Sequence, residues 1–338
     1  MTLSRIACVV PWLLLGVAGC SGGTGVVVYA SLDKDFSDPI LKAYQAKTGQ
    51  EIRAKFDIES TKTVGLTKLI MAEAERPQCD LFWNNEILNT IRLKKQGLLA
   101  RFDPPNAKDY PEAFRDPDGQ WYGFAARARI LLVNTDLVPE SERPTSINDL
   151  IDPKWKGKIG LAKPLFGTTA THAACLFAVW GEEKAKTFFQ ALKANGAQIL
   201  SGNKQVALAV GSGALAIGWT DTDDAMEEIA AGHPVSIVYP DRAPDQIGTL
   251  FIPNTLAVIK GAPRAKEAEA LANHLLSPEV ETALANGPSA QIPLNSKTEA
   301  SARVETPKTV KAMAVDFGKA ADMWGRVAVF LADEFAGG

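Results

Sequence analysis

The chain has 338 residues, 46% of them hydrophobic, and a formal charge of only −3. That length buries more than one core, so two domains are expected, while the absence of a basic cluster argues against a nucleic-acid partner. The three histidines, His172, His233 and His274, are too scattered to build a zinc cluster or a histidine triad by local spacing.

The N-terminus runs Met1-Thr2-Leu3-Ser4-Arg5, then an almost wholly apolar Ile6 to Leu15, then Gly16-Val17-Ala18-Gly19-Cys20. A short basic head, an apolar stretch too short to span a bilayer and small residues before a cleavage point read as a secretory signal over 1–19. Val17-Ala18-Gly19-Cys20 resembles the lipobox of bacterial lipoproteins, which implies cleavage before Cys20, acylation of that cysteine and a flexible tether over 20–25. The mature protein is then expected in the periplasm or at the cell-envelope face, lipid-anchored to a bacterial membrane and otherwise soluble. Cys79 and Cys175 each lie in an apolar run, as small buried hydrophobes do; the compartment permits a disulfide, but no spacing argues for one.

Val26 to Ala30 is a continuous apolar run, as in a strand covered on both faces, and it ends at Ser31-Leu32-Asp33. Asp35 or Ser37 is expected to cap the next helix, which carries Ile40, Leu41 and Tyr44 on one face and closes at Gly49. Glu51 to Ile58 alternates as a strand, and Ser60 is expected to cap a helix that presents Leu66, Leu69 and Ile70. A third strand, Cys79 to Trp83, leads through Asn84-Asn85-Glu86 into a helix that ends before Gly97. Strands alternating with helices imply parallel pairing with right-handed crossovers.

Gln120 to Asn134 reads as a long extended segment in which Arg127 and Arg129 point to one face. Two guanidiniums there repel each other unless an anion or carboxylate lies between them; the alternative is a pair of surface arginines on an edge strand. Ile159 to Ala162 is a strand feeding Gly167-Thr168-Thr169-Ala170-Thr171, a turn that opens a helix reaching Trp180. Backbone N–H groups at a helix start, joined by hydroxyls, suit an anion; alternatively Thr168 or Thr169 caps its own helix. Helices follow at 182–193 and 203–210, with a short strand between them at Ile199-Leu200. Leu215 to Trp219 is a further strand, ending in Thr220-Asp221-Thr222-Asp223-Asp224, where one aspartate is expected as a helix cap. Val235 to Tyr239 completes this second unit.

Gly248 to Ile259 is too long for a simple strand and carries Pro253 at its middle, so it reads as a return crossing, with proline where no ladder donor is needed. Two crossings give a hinge. The expected lobes are 26–126 with 254–300, and 127–253 with 301–338, the last stretch holding one or two C-terminal helices. In open α/β sheets ligands bind beyond the carboxyl ends of strands. Four such ends are polar here, two in each lobe, and facing lobes bring them into one cleft. The expected ligand set is Ser31, Asn84, Asn85, Glu86, Arg127, Gly167, Thr168, Thr169, Thr171, Asp221, Asp223 and Tyr239.

With these residues in view, the chain resembles the solute-binding proteins of bacterial ABC importers, within them the ferric-ion-binding group of extracellular solute-binding family 1. The resemblance is carried by Val28-Tyr29-Ala30-Ser31, Cys79-Asp80-Leu81-Phe82-Trp83-Asn84-Asn85-Glu86, Asp116-Pro117-Asp118-Gly119-Gln120-Trp121-Tyr122-Gly123, Asp152-Pro153-Lys154-Trp155-Lys156-Gly157 and Leu275-Leu276-Ser277-Pro278. It implies a two-lobed periplasmic-binding-protein fold of α/β class, hinged on two crossing strands, binding without catalysis and without a resident cofactor. It also implies a monomer that delivers its ligand to an ABC permease in the membrane. Ferric binders of this group use adjacent tyrosines at the strand end that here reads Thr220-Asp221-Thr222-Asp223, and often a histidine where this chain has Leu32-Asp33. An organic phosphate or phosphonate is therefore the expected ligand, with the anion on Arg127 and the threonines and any cationic part on Asp221, Asp223 and Glu86. Ferric iron held by Asp221 and Asp223 is the alternative. A hydrolase using Asp221 or Asp223 with Glu86 is a third reading, and it lacks any nucleophile motif.

Overall fold

A computed structural model describes residues 25–57 and 63–335. The signal, Cys20 and Ser60 lie outside the described residues. Strands β1 (Val26–Ala30), β2 (Ile52–Phe56) and β3 (Leu81–Asn84) alternate with helices α1 (Lys34–Thr48), α2 (Val64–Ala72) and α3 (Leu88–Lys95). The strands pair in parallel with β1 central, as the alternation requires. Gly49 closes α1 at φ 72°, a left-handed position that glycine takes without a Cβ clash. The N-cap of α1 is Asp33, and Ser37 lies inside the helix, where its hydroxyl donates to the Leu32 and Asp33 carbonyls. The expected cap at Asp35 or Ser37 is therefore corrected to Asp33.

Strand β4 (Tyr122–Asn134) is buried along its whole length. It continues into β5 (Ile159–Ala162), α4 (Gly167–Trp180), α5 (Glu182–Ala194), β6 (Gln198–Leu200), α6 (Asn203–Gly211), β7 (Ile217–Asp221), α7 (Thr222–Ala230) and β8 (Val235–Val238). The chain then returns through β9 (Phe251–Val258) to α8 (Ala265–Leu275), α9 (Pro278–Asn286) and α10 (Phe317–Phe335). The strand order is β2-β1-β3-β9-β4-β7-β5-β6, with β8 also on β4.

The sheet changes partner in the middle of β4. Residues up to Ala128 pair with β9, while Arg129 to Val133 pair antiparallel with β7 and Leu131 to Asn134 with β8. Because β9 pairs with β3 through Thr255–Val258 and with β4 along its length, these two long strands join the half built on β1–β3 to the half built on β5–β7. A third segment crosses beside them, since Ala126 bridges Ile292 and Thr249 bridges Ala312. With neighbours on both sides, β4 is no edge strand, so the reading of Arg127 and Arg129 as surface arginines fails: they are 1% and 0% exposed.

Apolar side chains from both faces of the sheet close the core, including the fully buried Trp83, Phe124 and Trp219. Helix α10 is one helix, and it lies against α4 and α5 on one half and α3 on the other. Cys79 and Cys175 are buried free thiols. No helix among the described residues is long and apolar enough to cross a membrane.

Candidate binding cleft

Within each half the parallel strands end on polar residues. Helix α4 begins at Gly167, whose φ of 55° turns the chain sharply from Phe166, the N-cap residue. Phe166 has no side chain able to cap, so Thr168 and Thr169 lie inside the first turn, and the expectation that one of them caps its own helix is corrected. Their hydroxyls turn to neighbouring strands and helices: Thr168 donates to Asp221, and Thr169 donates to Asn203 Oδ1 at 3.0 Å. Helix α7 shows the same economy. Its N-cap is Asp221, whose side chain makes no cap bond and instead receives Arg129 Nη1 at 2.8 Å and Asn203 Nδ2 at 2.9 Å.

The two arginines of β4 therefore meet the two aspartates of the β7–α7 junction one to one. Arg129 pairs with Asp221, as above, and lies over the Trp219 ring at 5.6 Å. Arg127 Nε reaches Asp223 at 2.8 Å, Nη2 reaches Asn254 Oδ1 at 3.2 Å, and Nη1 donates to the Asn85 carbonyl. Burial acts to lower the Arg127 guanidinium, but the charges of Asp223 and Asp221 outweigh it and hold the group raised. Each guanidinium thus has a carboxylate partner that offsets the repulsion between two arginines on one face. The division into an anion side and a cation side is not kept, because Thr168, Arg129 and Asp221 form one network.

On the β1–β3 half, Glu86 is fully buried and accepts from Asn84 Nδ2 at 2.8 Å, from Asn89 N–H at 3.1 Å and from the Leu88 N–H, and so caps α3. From the other half the Thr171 hydroxyl donates to Glu86 Oε2 at 2.8 Å. Burial nevertheless pushes the Glu86 carboxyl up, with the donors only partly offsetting it. Asn85 Oδ1 accepts from the Thr63 hydroxyl at 2.7 Å. At these strand ends Ser31 Oγ, Asn84 Oδ1 and Trp83 Nε1 are buried with no partner among the described residues.

The structure thus gathers Asn84, Asn85, Glu86, Arg127, Thr168, Thr169, Thr171, Asp221 and Asp223 through shared bonds. Ser31 is tied to the same strand ends through its N–H, which donates to the Trp83 carbonyl at 2.8 Å. Tyr239 is elsewhere engaged: its hydroxyl accepts from the Glu305 N–H at 3.0 Å, and burial raises its pKa to about 12. Asn203 and Asn254 are absent from the expected ligand set. Asn203 joins Arg129, Thr168, Thr169 and Asp221, and its signal was present in Ser201-Gly202-Asn203, one more polar turn after a strand. A notch of about 20 Å³ beside it is lined by Lys163, Phe166, Gly167 and Asn203. A cavity of about 550 Å³ lies away from these residues, between Tyr110, Phe114 and Ile292 to Asn295.

His172, on the same helix as the threonines, meets the Trp219 ring edge-on at 4.7 Å, and neither ring nitrogen has a partner among the described residues. Burial, with Arg129 adding to it, holds its imidazole well below the ordinary range. Asp221, Asp223 and Asp224 bring ligand atoms within 4.8 Å of one another.

A family model described as bacterial extracellular solute-binding protein matches residues 80–320. Iron uptake protein A2 of Synechocystis is 32% identical over 189 residues, 52% of this chain and 54% of that protein, so the chain spans about half the length of this relative. The periplasmic binding protein AfuA from Actinobacillus pleuropneumoniae, solved with exogenous fructose-6-phosphate bound, is 25% identical with a TM-score of 0.83, covering 93% of this chain and 99% of that one. Iron-bound HitA from Pseudomonas aeruginosa shares the fold at 23% identity and a TM-score of 0.82, over 91% of this chain and 99% of that one. The α/β architecture is the two-lobed one of periplasmic binding proteins.

Proposed function

Because the chain belongs to the bacterial extracellular solute-binding proteins, we propose that it is the solute-binding component of an ABC importer and captures a small phosphate- or phosphonate-bearing solute between its lobes. The observation that carries this reading is the start of α4. Its first N–H groups have no intrahelical acceptors, and Arg129 lies 3.3 Å from the hydroxyl of Thr168 in its first turn. An anion there gains amide donors together with the positive end of the helix dipole. Ser31 Oγ and Asn84 Oδ1, buried and unpartnered on the opposite lobe, suit the hydroxyls of the rest of the ligand. Lobes 26–126 with 254–300 and 127–253 with 301–338 close on it as a monomer, and an acylated Cys20 anchors the protein to a bacterial membrane at the periplasmic or cell-envelope face.

A second reading, ferric iron, is favoured by the Asp221, Asp223 and Asp224 cluster. Against it, two guanidiniums pair with the first two of these carboxylates and disfavour a trivalent cation. None of the five tyrosines supplies a phenolate either: the Tyr29, Tyr110 and Tyr122 hydroxyls donate to Glu73, Leu276 and Phe102, Tyr239 is bound to Glu305, and Tyr44 packs against His274. Isothermal titration with fructose 6-phosphate, a small phosphonate and ferric citrate decides between the readings. Stoichiometric binding of a phosphate or phosphonate is expected; ferric binding with no response to either anion overturns the phosphate reading.

A further inference from the structure

The register of β4 against β9 slips between Phe124 and Arg127. Opposite the slip lies Pro253, which has no N–H to give a ladder. Two residues, Ala125 and Ala126, there face the single Pro253, and Ala125 has φ 42°, a left-handed conformation that a residue with a Cβ holds only when its surroundings enforce it. Backbone groups displaced from a ladder need other partners. Ala126 exchanges both bonds with Ile292, at 2.8 and 2.7 Å. The Ala125 carbonyl accepts from Asn254 Nδ2, and its N–H donates to Glu281 Oε1 at 2.8 Å.

Glu281, in the first turn of α9, is fully buried. Its Oε2 accepts from the N–H groups of Leu294 at 2.9 Å and Asn295 at 2.7 Å, and from the Thr298 hydroxyl at 3.2 Å. Every partner is a donor, so the position requires an acceptor on both arms. One carboxylate therefore joins the bulge of β4 to the third crossing segment. Just past the bulge, Arg127 shares Asn254 with Ala125 and reaches Asp223 on one half and Asn85 on the other.

We propose that Glu281 is a positioning residue for Arg127, pinning the β4 bulge to the third crossing segment and so aiming the guanidinium into the interlobe cleft. Its effect on binding rests on the phosphate reading and on Arg127 belonging to that ligand site, as expected from the sequence; the positioning itself does not. Glutamine at 281 keeps the shape but turns an NH₂ toward an N–H donor on one arm, leaving a buried amide without an acceptor.

The test is Glu281→Gln in the full mature chain, with the exposed Glu279→Gln as control. Two-dimensional amide NMR follows the Ala125 N–H and the Arg127 Nε–H, and titration follows fructose 6-phosphate. In Glu281→Gln, Ala125 amide exchange is expected to quicken at least about tenfold, the Arg127 Nε–H resonance to move, and affinity to fall about tenfold, while Glu279→Gln leaves all three unchanged. Parent-like Ala125 and Arg127 signals in Glu281→Gln overturn the proposal. Should that variant not fold, the parent decides: an Ala125 amide protected like those of β4 supports the pin, and free exchange overturns it. If Arg127→Ala binds as the parent does, the site assignment fails, and the two NMR signals still judge Glu281.

Discussion

Around Asp221, the side chains of Arg129, Thr168 and Asn203 bond to Asp221 and to one another, leaving Arg129 Nε unpartnered among the described residues, whereas around β1 and β3 the buried Ser31 Oγ and Asn84 Oδ1 have no partner there at all. The first group is a framework, with hydrogen bonds that hold two buried charges where lone charges are not tolerated. The second presents polar atoms that a solute can complete. The two sides meet through Thr171 with Glu86 and Arg127 with Asn85. A buried network of paired charges is costly to break, and removing an unpartnered atom breaks no bond.

The largest expected effect follows from breaking the framework. Asp221→Ala leaves Arg129 buried without its carboxylate and is expected to lower stability by about 3–5 kcal/mol, read from urea unfolding; a loss below about 1 kcal/mol means that the framework carries no such weight. Next comes acid sensitivity. His172 stays neutral in the folded chain, while in the unfolded chain it takes a proton below about pH 6.5. Its depressed pKa therefore contributes stability that is fully present above that pH and is lost as pH falls toward the folded value, by about 1.4 kcal/mol per pH unit. His172→Leu is expected to flatten the slope between pH 6.5 and 5 by that amount, and equal slopes in both proteins remove His172 as its source.

Thr171→Val tests the link between the two sides. Losing one hydrogen bond to Glu86 is expected to cost about 1 kcal/mol and to leave the fold intact, checked by unfolding and by the far-ultraviolet spectrum. The smallest change in stability is expected at Ser31→Ala, within about 0.5 kcal/mol because no bond is lost. If this side completes the solute, the same variant weakens fructose 6-phosphate binding several-fold; unchanged affinity takes Ser31 out of the cleft's chemistry.

Much of the framework was legible residue by residue. Continuous apolar runs such as Val26 to Ala30 marked buried strands, Pro253 marked a crossing where a ladder donor is dispensable, and polar turns after strands marked Asn84 to Glu86 and Thr168 to Asp221. The helix caps were misread, because Asp and Thr at a helix start satisfy local N–H groups unless a stronger partner arrives from elsewhere. Here Arg129 and Asn203 arrive, so Asp221 and Thr168 leave their own helix ends. Tyr239 shows the opposite case, a residue at a strand end drawn away by a backbone amide in the tail.

Periodicity and punctuation are properties of neighbouring residues, so the sequence by itself determined the alternating strands and helices, the parallel pairing of β1 with β2 and β3, and the presence of arginines and aspartates at strand ends. Only the tertiary structure decided that each arginine meets its own aspartate, that a third segment runs beside the two crossing strands, and that Glu281 serves Ala125 from 156 positions along the chain. Those bonds join groups whose distance in sequence carries no pattern. They exist because burial leaves a charge or an amide no water to turn to, and the fold must supply a partner from wherever the chain passes.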